Sequence, residues 1–205
     1  MPPPDLRVCF LGDSLTAGVG DDAALGWVGR LVVAARGAGT DLTGYNLGVR
    51  RETAPEVAAR WMAEAAPRLR HGDGCGVVLA VGVNDTTVEG GRRRVPEAGT
   101  LGAVDLVADQ AGAEGWPLLV VGPTLVADAE QNRRITALSA AMADRCGRRS
   151  LPFVELAAGL DDEWLADVAS GDGAHPSARG YERLSRSISP VFTTWLGTLA
   201  DRRTG

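Results

Sequence analysis

Along this 205-residue chain, short runs of consecutive apolar residues alternate with longer stretches in which apolar positions recur every three or four residues. Runs of the first kind suit strands buried on both faces, and stretches of the second kind suit amphipathic helices. Their alternation predicts strand–helix–strand units around a parallel sheet. Strands are predicted at Arg7–Leu11, Tyr45–Leu47, Val77–Val81, Leu118–Val121 and, shorter, Phe153–Val154. Glycine follows four of them, as Gly12, Gly48, Gly82 and Gly122, where the chain must turn sharply at a strand's carboxyl end.

The helical stretches carry recognisable ends. Thr53-Ala54-Pro55-Glu56 has the spacing of a capping box and opens a helix with Val57, Trp61, Ala65 and Leu69 on one side, fraying at Pro67. Asp128 is placed to cap a second helix with Ile135, Leu138 and Met142 inward. A last helix from Ser177 lines up Tyr181, Leu184, Ile188, Trp195 and Leu199 and is expected to bend at Pro190. Helical spacing already accounts for these tryptophans as core residues. Thr86–Pro96, with Gly90-Gly91 and Arg92-Arg93-Arg94, reads as a mobile, solvated loop. Neither an internal repeat nor a low-complexity linker divides the chain, so residues 1–205 are expected to form one domain.

Composition then narrows the chemistry. The 21 basic residues are all arginine, which excludes a Walker-type phosphate loop, a pyridoxal Schiff base and a lysine nucleophile. Net charge is −5, with a single concentrated basic run, so nucleic acid is not an expected partner. Cys9, Cys75 and Cys146 form no C-x-x-C pair, and His71 and His175 have no ligand spacing. Reduced thiols and no structural zinc are expected. Met1-Pro2-Pro3-Pro4-Asp5 lacks a basic start followed by an apolar stretch, and no run approaches a membrane span. A soluble cytoplasmic protein is the expectation.

In an open parallel sheet, ligands bind beyond the carboxyl ends of the strands. The first strand runs into Gly12-Asp13-Ser14-Leu15, where Ser14 reads either as a helix cap or as a nucleophile with a base in reach. His71 sits in a glycine-rich turn, which leaves His175 in Asp172-Gly173-Ala174-His175-Pro176 as the candidate base. A loop folding back on itself lets Asp172 fix one imidazole nitrogen while the other faces the serine. Gly48 offers a backbone N–H and Asn84 a side-chain amide at two further strand ends; each reads equally as an ordinary turn residue. Trp164, between the fifth strand and the Asp-His loop, is a candidate to line the cleft or to pack a helix.

These blocks, Gly12-Asp13-Ser14-Leu15, Gly48, Gly82-Val83-Asn84-Asp85 and Asp172-Gly173-Ala174-His175-Pro176, resemble the SGNH or GDSL hydrolases in order, over about Asp5 to Trp195. The resemblance implies a flavodoxin-like three-layer α/β/α fold with about five parallel strands, and a serine esterase or lipase-type activity. No cofactor is expected, and small or short-chain esters are the expected substrates because the sequence shows no sign of a long apolar tunnel or lid. It assigns Ser14 as nucleophile, His175 as general base and acid, and Asp172 as its orienting partner. The Ser14 and Gly48 backbone N–H groups and the Asn84 side chain become the oxyanion hole. Asp13 and Asp85 become turn and loop stabilisers. Two rival readings remain open: a flavodoxin-like binding module holding phosphate or flavin at Ser14, and a metal-assisted hydrolase using Asp13, Asp85, Asp172 and His175.

Overall fold

The computed structural model describes residues 3–201, so Met1 and Pro2 of the amino-terminal segment lie outside the described residues. Five parallel strands form the central sheet: β1 (Leu6–Gly12), β2 (Leu42–Gly48), β3 (Gly74–Ala80), β6 (Leu118–Val121) and β7 (Phe153–Val154), in the order β2-β1-β3-β6-β7. Alternate strand residues feed two cores, as the two-residue side-chain period requires. Val8, Phe10, Val78 and Leu119 face one side, and Cys9, Leu11, Leu79 and Val120 face the other.

The first core is closed by helices α2 (Gly26–Gly37) and α7 (Ala178–Asp201), which bring Trp27, Leu31, Tyr181, Ile188 and Phe192 against the sheet. The second is closed by α3 (Ala54–Leu69), α4 (Glu97–Ala113) and α5 (Ala129–Arg148), through residues such as Trp61, Val104 and Met142. This is the expected three-layer α/β/α arrangement. A short helix α1 (Ser14–Ala17) and a nine-residue helix α6 (Asp162–Ser170) complete the set.

Local chemistry explains most boundaries. The Glu56 carboxylate accepts from both the N–H and the hydroxyl of Thr53 at the start of α3, and Asp128 accepts from the Gln131 N–H at the start of α5. Pro67 sits inside α3 without ending it, and the helix continues to Leu69. Pro190 likewise lies inside α7. All three cysteines are free thiols, and no described helix is long and apolar enough to cross a membrane.

The segment expected to be a loop instead contains an antiparallel hairpin, β4 (Val88–Glu89) paired with β5 (Arg92–Arg93). Gly90 and Gly91 at its tip both take positive φ, 58° and 78°, the combination a tight two-residue hairpin turn demands. The hairpin is pinned from two sides. The Gln131 side-chain amide donates to the Val83 carbonyl and the Thr86 and Thr87 hydroxyls, and the Arg94 guanidinium donates to the Arg51 carbonyl at 2.8 Å.

Candidate active site

The strand order changes direction at β1, whose neighbours are β2 and β3, and the crevice beyond these strand ends is where an open α/β sheet takes its ligands. The Gly12 backbone leaves no room for a side chain, since a Cβ there would lie 2.2 Å from the Thr16 hydroxyl oxygen. The chain therefore turns tightly into α1. Asp13 is the cap of that helix, its Oδ1 accepting from the Leu15 N–H at 2.9 Å, and Ser14 takes the first helical position. A first-position N–H has no intrahelical acceptor, which leaves the Ser14 amide available to a ligand.

The far end of the chain is brought to the same place. Tyr181 on α7 donates its hydroxyl to the Val19 carbonyl at 2.6 Å, and Gly20 packs where a Cβ would meet the Pro176 carbonyl and the His175 side chain. His175 Nε2 lies 2.7 Å from Ser14 Oγ, across 161 residues of sequence. His175 Nδ1 lies 2.6 Å from Asp172 Oδ2. The other oxygen of Asp172 accepts from the Ala174 and His175 N–H groups at 3.0 and 2.9 Å. Burial pushes the Asp172 carboxyl up, but the His175 ring and these two N–H groups outweigh it and hold the carboxyl at about 2. An ionised Asp172 only accepts, so Nδ1 carries the ring hydrogen and Nε2 is left to accept the Ser14 proton. His71 sits exposed in a turn, as expected.

The remaining predicted groups are more internally engaged than their residue types announce. The Gly48 N–H donates to Asn46 Oδ1 at 3.0 Å, while Asn46 Nδ2 donates to the Thr16 carbonyl at 2.7 Å. Gly48 is also required sterically, because a Cβ there would lie 2.3 Å from the Ala17 nitrogen. Asn84 Nδ2 donates to Asp13 Oδ2 at 2.9 Å and to the Glu52 carbonyl at 3.0 Å. A substrate oxygen approaching Gly48 or Asn84 has to share or displace one of these acceptors.

Trp164 takes the packing role of its two readings. It is 1% exposed, and its indole N–H donates to the Leu125 carbonyl at 2.8 Å, so it packs in the core rather than lining the cleft. Its contact steadies the segment that reaches the Asp-His loop through the Ala127 N–H and the Gly173 carbonyl, 2.7 Å apart. Asp85 is buried and engaged by other elements, accepting from the Ala54 N–H and the Thr100 hydroxyl. The sequence reading missed Arg51, which adopts a left-handed φ of 68° and is held by its bond to Glu89 and by Arg94. Its side chain gives no warning, since φ > 0 is a glycine signature and arginine seldom takes it.

A flavodoxin-like α/β/α sheet with a hydroxyl–imidazole–carboxylate chain at the β1 switch point is the architecture of a carboxylic ester hydrolase. The chain belongs to the GDSL-like Lipase/Acylhydrolase family, whose pattern matches residues 10–183. Among solved structures it is similar to TesA, with 25% identity and a TM-score of 0.72, over 90% of this chain and 97% of that one. It is also similar to a catalytic mutant of Axe2, an acetylxylan esterase from Geobacillus stearothermophilus. There the TM-score is 0.76 at 17% identity, over 93% of this chain and 96% of that one. No curated protein matches the chain.

Proposed function

We propose that this hydrolase cleaves small or short-chain carboxylic esters by two-step acyl transfer through an acyl-serine at Ser14. His175 takes the Ser14 proton as the hydroxyl attacks the ester carbonyl and returns it to the leaving alcohol. It then activates water against the acyl-serine. Asp172 holds the ring in the tautomer this requires and stabilises the imidazolium formed on the way. The tetrahedral oxyanion is received by the Ser14 amide, the Asn84 side chain and the Gly48 N–H. The observation that carries the reading is the continuous chain from Ser14 Oγ to His175 Nε2, 2.7 Å, and from His175 Nδ1 to Asp172, 2.6 Å.

A further observation supports it. The four residues of the metal-assisted rival do not converge, because Asp85 is turned toward α3 and α4. Among the described residues no three His, Cys, Asp or Glu side chains are placed to hold a metal ion. A flavin- or phosphate-binding module would leave the Asp172–His175 pairing unused.

A panel of p-nitrophenyl esters of increasing acyl length tests both class and size. Wild type is expected to favour acetyl and butyryl over long acyl chains, and Ser14→Ala to lose at least about 10³-fold in kcat on every ester. Retention of wild-type turnover by Ser14→Ala contradicts the mechanism, and a preference for long chains contradicts the size assignment.

A further inference from the structure

Asn84 carries a soft final side-chain torsion with two broad orientations that exchange the positions of its oxygen and nitrogen. Only the NH₂ can serve an oxyanion, which has to share or displace one of the acceptors it meets, so something has to hold that nitrogen rather than the oxygen in place. Two groups face its nitrogen, Asp13 Oδ2 at 2.9 Å and the Glu52 carbonyl at 3.0 Å. The Glu52 carbonyl only accepts, so turning the amide over would set its oxygen against that carbonyl and, wherever Asp13 is ionised, against the carboxylate as well. Asp13 is 3% exposed, so water does not substitute for it easily. The same carboxylate caps α1 through the Leu15 N–H, at 2.9 Å, directly beside Ser14.

We infer that Asp13 is a positioning residue for the reaction: one carboxylate fixes the turn that carries the nucleophile and the orientation of the Asn84 amide, so that hydroxyl and oxyanion donor are set in register. This goes beyond a turn-stabilising role and rests on the reading of Asn84 as an oxyanion donor. Asparagine at this position is a poor replacement, because it has one acceptor for two donors, and its own NH₂ faces either Leu15 or Asn84. Serine keeps the helix cap but is too short to reach Asn84. Asp13→Ser therefore separates the two functions.

The test is a double-mutant cycle of Asp13→Ser and Asn84→Ala, with kcat and KM measured on p-nitrophenyl acetate and near-UV circular dichroism reporting folding. Asn84→Ala is expected to lower kcat by about 10² to 10³. Asp13→Ser is expected to lower kcat by about 10 to 10² with KM within about twofold, since the lost contact matters chiefly in the transition state. Because Asp13 acts through Asn84, the double variant should be no slower than Asn84→Ala alone. Independent, multiplying losses overturn the positioning role, as does wild-type kcat in Asp13→Ser. If Asn84→Ala keeps wild-type kcat, Asn84 is not the donor, and the underlying reading falls rather than the link from Asp13 alone. Should Asp13→Ser fail to fold, the cycle is read with Asp13→Thr, which also keeps a capping hydroxyl and is too short to reach Asn84, so that the same non-additivity supports the role and additivity overturns it.

Discussion

Two aspartates flank Ser14, and their surroundings drive the same functional group in opposite directions. Asp13 lies under the nucleophile at 3% exposure, where burial pushes its carboxyl up to about 7, with the nearby Asp85 adding to the rise. Asp172 stands on the rim with its side chain 56% exposed, and despite partial desolvation the His175 ring and two backbone N–H groups bring it down to about 2. One carboxylate is built into the wall of the site and the other is held at its mouth by donors from its own loop. A side chain's role here follows from what surrounds it, since residue type does not distinguish the two.

Removing the charge on the rim should have the largest effect. Asp172→Asn retains shape but favours the wrong imidazole tautomer, so kcat on p-nitrophenyl acetate is expected to fall by about 10³ to 10⁴ with little change in thermal stability. A loss of less than about tenfold would show that the Asp172–His175 contact is ornamental. The buried partner offers a subtler way to sharpen the contrast, through the pH dependence of stability. Because the folded-state pKa of Asp13 lies above the ordinary value of 3.8, the native state holds an extra proton between roughly pH 4 and 7. Its share of stability therefore declines as pH rises through that window. Asp172 has the opposite sign: its contribution is present above pH 3.8 and is lost only as pH falls toward 2. Melting temperatures at pH 4.5 and 7.5 should show Asp13→Asn gaining on wild type by a few degrees at the higher pH, while Asp172→Asn tracks wild type. Parallel curves for all three proteins would remove the distinction.

Much of this arrangement was legible in the sequence because its signals are local. Apolar runs ending at Gly12, Gly48, Gly82 and Gly122 mark four strands, and Thr53-x-x-Glu56 and Asp128 mark two helix starts. With only two histidines, one of them in a glycine-rich turn, His175 stood out. Helices α2 and α4 escaped notice for a physical reason. Alanine, glycine and valine dominate them, so their apolar faces are too weakly contrasted to show a period. The hairpin at 88–93 was hidden by strands only two residues long. Least visible were the contacts between distant side chains and backbone: Asn46 against Gly48 can be guessed from a neighbourly turn, but Asp13 against Asn84 and Arg94 against Arg51 depend on the finished fold. Which of the two readings of Trp164 holds also depends on the finished fold, since its acceptor is the Leu125 carbonyl, 39 residues away.

The central claim, that Ser14 is an activated nucleophile and not merely a helix residue, is tested most directly by stoichiometric labelling with a fluorophosphonate followed by peptide mass analysis. The account predicts one adduct per chain on the peptide containing Ser14, formed slowly or not at all in His175→Ala. Label on a different serine, or none on Ser14 in a folded and catalytically active preparation, would contradict it.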